Sequence, residues 1–100
     1  MQVTTARNGV EAVVTIVGDV DAETSPRLEE EVNSLLVAGA RTLVVDADGV
    51  TFLGSSGLSV LLGAHRSAEQ FVLRRGNRIV DRLVTLTGLE FLYGEATIAE

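Results

Sequence analysis

Short β-branched runs alternate along this chain with segments whose apolar residues have helical spacing. Residues 10–17 alternate side chains with the two-residue period of a strand, and residues 42–47 and 71–75 are further short apolar runs. Residues 28–36 carry Leu and Val at positions i, i+4, i+7 and i+8, the pattern of a helix with one buried face. Strands that alternate with helices are joined by parallel, right-handed crossovers, so we predict a mixed α/β fold.

The first two strands are expected to pair differently from the others. Asn8-Gly9 stands between two alternating runs, and this dipeptide favours the positive φ angles of a tight hairpin turn. The predicted order is therefore β-β-α-β-α-β-α-β, with a small mixed sheet, helices packed mainly on one face and a last edge strand at residues 96–99. With 100 residues and no linker-like segment, residues 1–100 are predicted to form a single domain.

Helix ends can also be predicted from local residue types. Ser25 followed by Pro26 is typical of an N-cap and first helical position, and Asn77 is a candidate N-cap for the third helix. Gly88 is expected to end that third helix. The buried side of the third helix is predicted to carry Ile79, Leu83 and Leu86.

Composition excludes several classes of function. The net charge is −6, which argues against a nucleic-acid partner because phosphate binding needs a basic surface. The chain has no cysteine, so disulfides and thiolate metal sites are excluded, and no uninterrupted apolar run is long enough for a membrane span. The start of the chain has no apolar signal segment, and we expect a cytoplasmic protein without metal or cofactor. All eight basic residues are arginine, which suggests a GC-rich genome.

The residue types needed for catalysis are sparse. His65 is the single histidine, and we interpret it as a core-edge or surface residue rather than a general base. The segment Gly54-Ser55-Ser56-Gly57 is one residue shorter than the G-x-S-x-G nucleophile elbow, and a chain without lysine has no phosphate-loop lysine. We therefore predict that the protein is not an enzyme and has no catalytic residue.

The segment TFLGSSGLSVLL, residues 51–62, is the most unusual part of the sequence. Two adjacent serines, bracketed by glycines, stand where the third strand is expected to meet the second helix. In one interpretation a serine caps the helix and its neighbour is merely small. In the other, a serine points outward from the turn and receives a phosphoryl group, which a helix N-terminus tolerates.

Three motifs in the same order resemble those of the STAS domain family of bacterial anti-sigma-factor antagonists. Phe52 to Leu58 is similar to the family's serine signature. Gly18-Asp19-Val20-Asp21 is similar to the segment after strand 2, and Leu86-Thr87-Gly88-Leu89 to a segment near the end. The resemblance covers nearly the whole chain and implies a STAS-like fold; with the arginine-rich composition, it suggests an actinobacterial source.

The resemblance also implies a function and a site. Members of the family bind an anti-sigma factor, often a serine kinase of the histidine-kinase-like ATPase type, and thereby free a sigma factor. The kinase phosphorylates the serine that corresponds to Ser55, which separates the two proteins, and a serine phosphatase reverses the modification. The implied partner-binding residues are Gly54, Ser55, Ser56, Gly57, Leu58, Asp19 and Asp21. The chain departs from the family at Gly54, where the signature has an aspartate.

Two other functions remain as alternatives. The chain could be a STAS subunit of another complex, such as a lipid-transport ATPase or a stressosome-like scaffold. It could instead be a sensor that binds a nucleotide or lipid at the same edge of the sheet.

Overall fold

The computed structural model describes residues 1–94, which form a four-stranded mixed sheet, three α-helices and one 3₁₀ turn. The predicted strand at 96–99 lies outside the described residues. The elements, in chain order, are β1 (Gln2–Asn8), β2 (Glu11–Val20), α1 (Ser25–Val37), β3 (Thr42–Leu53), α2 (Ser55–Ser67), β4 (Gln70–Leu73), α3 (Arg78–Thr87) and the 3₁₀ turn (Glu90–Tyr93).

The strand pairing follows the predicted topology. The order across the sheet is β1-β2-β3-β4, with β1 antiparallel to β2 and the two later pairs parallel. The hairpin turns at Gly9, whose φ of 64° is in the left-handed region that glycine adopts at little cost. The hairpin and both crossover connections are therefore confirmed within residues 1–94.

One face of the sheet forms the core. Ala12 and Val14 of β2 pair with Leu43 and Val45 of β3, and all four are buried. The intervening residues of these strands are half-buried, since successive side chains of a strand point to opposite faces. All three helices contribute residues to this same core, namely Leu28, Val32, Leu58, Leu61, Ala64, Val80 and Val84.

The third strand is the longest and is irregular near its end. Its register with β2 shifts twice, between Thr15 and Val17 and between Gly18 and Asp19. Such bulges increase local twist and re-aim the residues that follow. At the first irregularity a Cβ on Gly49 would lie 2.9 Å from the side chain of Val17, so the close approach of the two strands requires glycine. Regular pairing resumes at the end of β3, immediately before the serine segment.

The start of α1 differs from the prediction by one residue. The N-cap residue is Thr24, and Ser25 is the first helical residue, 3% exposed, so the assignment of Ser25 as the cap was wrong. Its hydroxyl donates a hydrogen bond of 2.6 Å to the backbone carbonyl of Asp21. Ser25 is thus a buried residue whose polar group is satisfied by the preceding turn, and Pro26 still lies within the first helical turn.

The third helix has the predicted ends but a different buried face. Asn77 caps it, and Gly88 ends it in the left-handed conformation, as expected. Its buried residues are Val80 and Val84, whereas Ile79 and Leu86 are exposed, so the prediction of those two as core residues was wrong. Successive residues of a helix point about 100° apart, so the predicted apolar set and the observed pair, Val80 and Val84, lie on different faces of α3. The contacts between α3 and β3 determine which of the two faces is buried.

The chain after α3 is held by an aromatic residue. Tyr93 is buried, and its hydroxyl donates a hydrogen bond of 2.6 Å to Asp81, while the guanidinium of Arg75 lies 3.9 Å from its ring centroid. Burial, together with the carboxylate of Asp81, raises the pKa of Tyr93 to about 12. These contacts tie the 3₁₀ turn to α3. Among residues 1–94, no helix has the length and apolar character needed to cross a membrane.

Candidate functional site

The serine segment lies where β3 ends and α2 begins, as predicted. Leu53 is the last residue of β3, Gly54 is the N-cap residue and Ser55 is the first residue of α2. Ser55 is exposed and Ser56 is half-buried. One hydroxyl of the pair is therefore presented to solvent at the N-terminus of a helix.

Neither serine caps this helix, which corrects one of the two interpretations of the segment. The N-cap residue is Gly54, in an extended conformation with φ −88° and ψ 176°, and within the described part of the chain no side chain accepts a capping hydrogen bond. The first backbone hydrogen bond of the helix runs from the amide of Leu58 to the carbonyl of Gly54, at 3.0 Å. The amides of residues 55–57 come before that bond, so the positive end of the helix dipole lies next to the Ser55 hydroxyl.

The turn is supported from below by buried residues. A Cβ on Gly57 would lie 2.6 Å from Val20 and 2.7 Å from Leu53, so glycine is required for the helix to start this close to the sheet. Leu58 is 8% exposed, within the core. Gly57 and Leu58 thus lie in the core, against the expectation that they face a partner, and we assign them a supporting role. The amide of Gly54 donates to the carbonyl of Val20 at 2.9 Å, which ties the turn to β2.

Asp19 lies beside the turn at the end of β2. It is exposed and pairs in register with Phe52 of β3. Its carboxylate accepts a hydrogen bond from the hydroxyl of Thr51, and its backbone carbonyl accepts one from the hydroxyl of Thr24, at 3.0 Å. The predicted residue Asp19 therefore places a carboxylate on the surface next to the serine segment.

Asp21 has a different environment, in the turn before α1. It is half-buried, and one carboxylate oxygen accepts hydrogen bonds from the amides of Glu23 and Thr24, both at 3.0 Å. The same oxygen lies 3.1 Å from the Thr24 hydroxyl, whose one proton is shared with the carbonyl of Asp19. The Thr24 amide contributes most to holding the pKa of Asp21 below its usual value of 3.8, with burial acting in the opposite direction. The structure thus gives Asp21 a role in shaping the loop between β2 and α1.

Phe52 is a residue of this surface that the sequence interpretation did not single out. It is 51% exposed, and it stands in β3 between the exposed Thr51 and the buried Leu53. A Cβ on Gly54 would lie 3.3 Å and 3.7 Å from two atoms of its ring, so the ring lies over the glycine that precedes Ser55. The alternation of strand residues was the available signal, because Leu53 faces the core and its neighbour must then face outward.

His65 is remote from the serine pair. It lies ten residues after Ser55 on the same helix, about 15 Å along the axis at 1.5 Å per residue. Its ring is half-buried and makes edge contacts with Phe71 and Phe91, with centroids 5.7 Å and 4.9 Å apart. This is the core-edge position predicted for it. In the described part of the chain, no group of three or more His, Cys, Asp or Glu side chains is placed to hold a metal ion.

The fold and the serine segment together define a small mixed α/β domain with an exposed hydroxyl at the start of its second helix. Comparison with known proteins identifies the family: the model described as "Mlab, STAS domain" matches residues 3–94. The chain therefore belongs to the STAS domain family, as its motifs suggested.

Named relatives agree with this assignment. The chain is 36% identical over 87 residues to the anti-sigma-F factor antagonist RsfB of Mycobacterium tuberculosis, covering 83% of this chain and 70% of that protein. It is 31% identical over 84 residues to the anti-sigma-B factor antagonist of Staphylococcus aureus, covering 79% and 77%. The crystal structure of an anti-sigma factor antagonist from Mycobacterium paratuberculosis superposes with a TM-score of 0.84 at 26% identity, covering 92% of this chain and 81% of that one. The mycobacterial relatives agree with an actinobacterial source.

Proposed function

We propose that this protein is an anti-sigma-factor antagonist, which binds an anti-sigma factor through the surface around Ser55 and so releases a sigma factor. Membership of the STAS family and the names of the relatives support the class of function. The observation that carries the choice of site is the exposure of Ser55 at a helix start with no side-chain cap. The role is one of binding rather than catalysis, and it places the protein in the cytoplasm, where sigma factors act.

The proposed partner is a serine kinase of the histidine-kinase-like ATPase type. In the modification step the Ser55 hydroxyl oxygen bonds to the γ-phosphorus of ATP, the bond from that phosphorus to the β–γ bridging oxygen breaks, and ADP and the hydroxyl proton leave. A serine phosphatase reverses the change by hydrolysis. The phosphate adds about −1.5 to −2 charges at one point of the contact surface.

The helix start explains how this charge can act on the complex rather than on the fold. The dipole of α2 favours an anion beside Ser55, so the free domain accommodates the phosphate. The partner surface, which packs against an uncharged hydroxyl in the complex, instead meets a bulky dianion. Each tenfold loss of affinity corresponds to about 1.4 kcal/mol of binding free energy. We expect the steric and desolvation cost of a phosphate on Ser55 in the complex to exceed this value.

Gly54 makes the activation of this serine depend on the kinase. No carboxylate stands at the residue before Ser55, where the family signature has an aspartate. The group that orients the hydroxyl and takes its proton must then come from the kinase. The binding role needs no such group, so it does not depend on this departure.

The proposal is tested by calorimetric titration of the native chain, Ser55→Glu and two controls with the purified anti-sigma factor of the source organism. Ser55→Glu is expected to lower the affinity by at least tenfold, because a carboxylate replaces a neutral hydroxyl at the contact. Ser34→Glu, an exposed residue of α1, is expected to bind like the native chain, and Ser59→Glu, one turn further along α2, to show a smaller loss. Equal affinities for all four proteins would exclude the Ser55 surface as the interface.

A further inference from the structure

Phe52 is a large apolar side chain held out of the core beside Ser55, within the proposed interface. In the register of β2 and β3, Val20 pairs with Leu53 and both are buried, while the preceding pair, Asp19 and Phe52, is exposed. Repacking the ring inward would require a register slip that turns Leu53 outward. The exposure of Phe52 is therefore fixed by the strand pairing.

The ring is also fixed relative to the serine. Two of its atoms lie 3.3 Å and 3.7 Å from the position of a Cβ on Gly54, the residue bonded to Ser55. Because Gly54 has no side chain, the ring of Phe52 can lie over it. The family signature has an aspartate at this position. In this chain an aromatic surface borders Ser55 where a carboxylate would otherwise stand.

The charged group opposite the ring is acidic. Asp19 pairs with Phe52 across the two strands, and the Thr51 hydroxyl holds its carboxylate at the surface. The chain as a whole carries a charge of −6. A partner that covers this point therefore needs an apolar pocket for the ring and a cationic group for the carboxylate at its rim.

We propose that Phe52 is the apolar anchor of the anti-sigma-factor interface, inserted in a pocket of the partner whose rim carries a Lys or Arg that pairs with Asp19. The inference rests on the proposed function and names a determinant of partner choice within the same surface. Aromatic residues near the centre of an interface commonly dominate its binding energy, whereas exposed charge pairs at its rim chiefly affect association rate and salt dependence. Phe52 and Asp19 are assigned these two roles respectively.

The test measures binding of the same purified anti-sigma factor to the native chain, Phe52→Ala, Phe52→Leu and Phe91→Ala. Phe91 is a matched control because it is 41% exposed and lies after α3. Phe52→Ala is expected to weaken binding about 30-fold, which corresponds to about 2 kcal/mol. Phe52→Leu is expected to retain most of the affinity and Phe91→Ala all of it. The thermal unfolding midpoint of each variant establishes that it is folded.

A second measurement, the association rate of Asp19→Asn, tests the role of Asp19 at the rim of the proposed pocket. Asp19→Asn keeps an acceptor for Thr51 but removes the charge, so it is expected to slow association a few-fold and to flatten the salt dependence of the rate. An unchanged salt dependence would overturn the assignment of Asp19.

The outcomes separate the two proposals. If Ser55→Glu weakens binding and folded Phe52→Ala binds within twofold of the native chain, the anchor is overturned and the proposed function stands. If the native chain does not bind the anti-sigma factor, the proposed function fails and the anchor fails with it. If sedimentation shows instead that the native chain is a dimer that Phe52→Ala dissociates, the ring contacts a second copy, and the proposal is overturned.

Discussion

The starts of α2 and α3 are built in opposite ways. At the start of α3, the side-chain oxygen of Asn77 accepts hydrogen bonds from the amides of Ile79 and Val80, at 2.8 Å and 3.2 Å. The side-chain nitrogen of the same residue lies 2.9 Å, 3.0 Å and 2.8 Å from three carbonyls of β3, which share its two N–H donors. At the start of α2, Gly54 has no side chain, and among residues 1–94 no side-chain capping hydrogen bond is made there.

The two helix starts differ in whether the chain itself occupies the free amides of the first turn. The start of α3 is occupied by the chain's own amide group, which joins the helix to the irregular part of β3. The start of α2 is positioned by packing beneath it, through Gly57, and remains open above it, at Ser55. The free amides of an uncapped helix N-terminus favour an anion such as the phosphate of the proposed modification.

Removing the side chain that holds α3 should have the largest effect on stability. Asn77→Ala removes the cap and leaves three carbonyls of β3 without this donor, so we expect a loss of about 3 kcal/mol in the free energy of unfolding by urea. Asn77→Ser keeps a capping oxygen and should lose about half as much. Asn33→Ala, at an exposed position of α1, is the control. If Asn77→Ala unfolds at the same urea concentration as this control, the bonds of Asn77 do not hold the helix.

The packing beneath α2 is tested by adding one methyl group. Gly57→Ala places a Cβ within 2.7 Å of Val20 and Leu53, and we expect a loss of about 2 kcal/mol through overpacking. Gly63→Ala, on the same helix, places a Cβ that meets no atom of the described residues within 4 Å beyond its own helix turn, and it should gain about 0.5 to 1 kcal/mol from helix propensity. Thermal or urea unfolding gives both values. Similar effects of the two substitutions would contradict the account of how α2 is positioned.

The substitution Gly54→Asp would give the start of α2 a side-chain cap, as Asn77 gives the start of α3. The backbone of Gly54 is in an extended conformation that any residue adopts, and only the ring of Phe52, 3.3 Å from the new Cβ, must shift. Gly54→Asp is therefore expected to be about 1 kcal/mol more stable than Gly54→Ala, since the carboxylate caps the helix and complements its dipole. It should also raise phosphorylation of Ser55 by the kinase, measured by mass spectrometry. Equal stability of the two variants would show that α2 does not need the cap.

The start of α1 provides a third case, with the smallest expected effect. Because the pKa of Asp21 is lowered in the folded chain, its ionised form stabilises the fold above pH 3.8, and this contribution disappears as the pH falls through the lowered value. The difference in unfolding free energy between the native chain and Asp21→Asn should therefore shrink on acidification from about pH 5 to about pH 2. A difference that is constant with pH would contradict the role of the carboxylate.

Local signals predicted most of the fold, and tertiary contacts decided the rest. Asn8-Gly9, Asn77 and Gly88 each carry a conformational preference that the structure realises. The buried face of α3 could not be chosen from sequence, because Val80 and Val84 form an apolar pair as good as the predicted one. The candidate site is proposed from the serine signature. The cap at Gly54 was missed, because Ser55 and Ser56 are themselves good capping residues and their positions differ by one or two residues from the observed cap.

The most direct measurement is an NMR titration of the ¹⁵N-labelled chain with the purified anti-sigma factor, followed at the two helix starts. We expect the amides of residues 52–58 to shift or broaden on binding, whereas those of Ile79 and Val80, which the Asn77 side chain engages, remain unchanged. Changes confined to the start of α3, with the amides around Ser55 unaffected, would contradict the proposal that the partner binds at the start of α2.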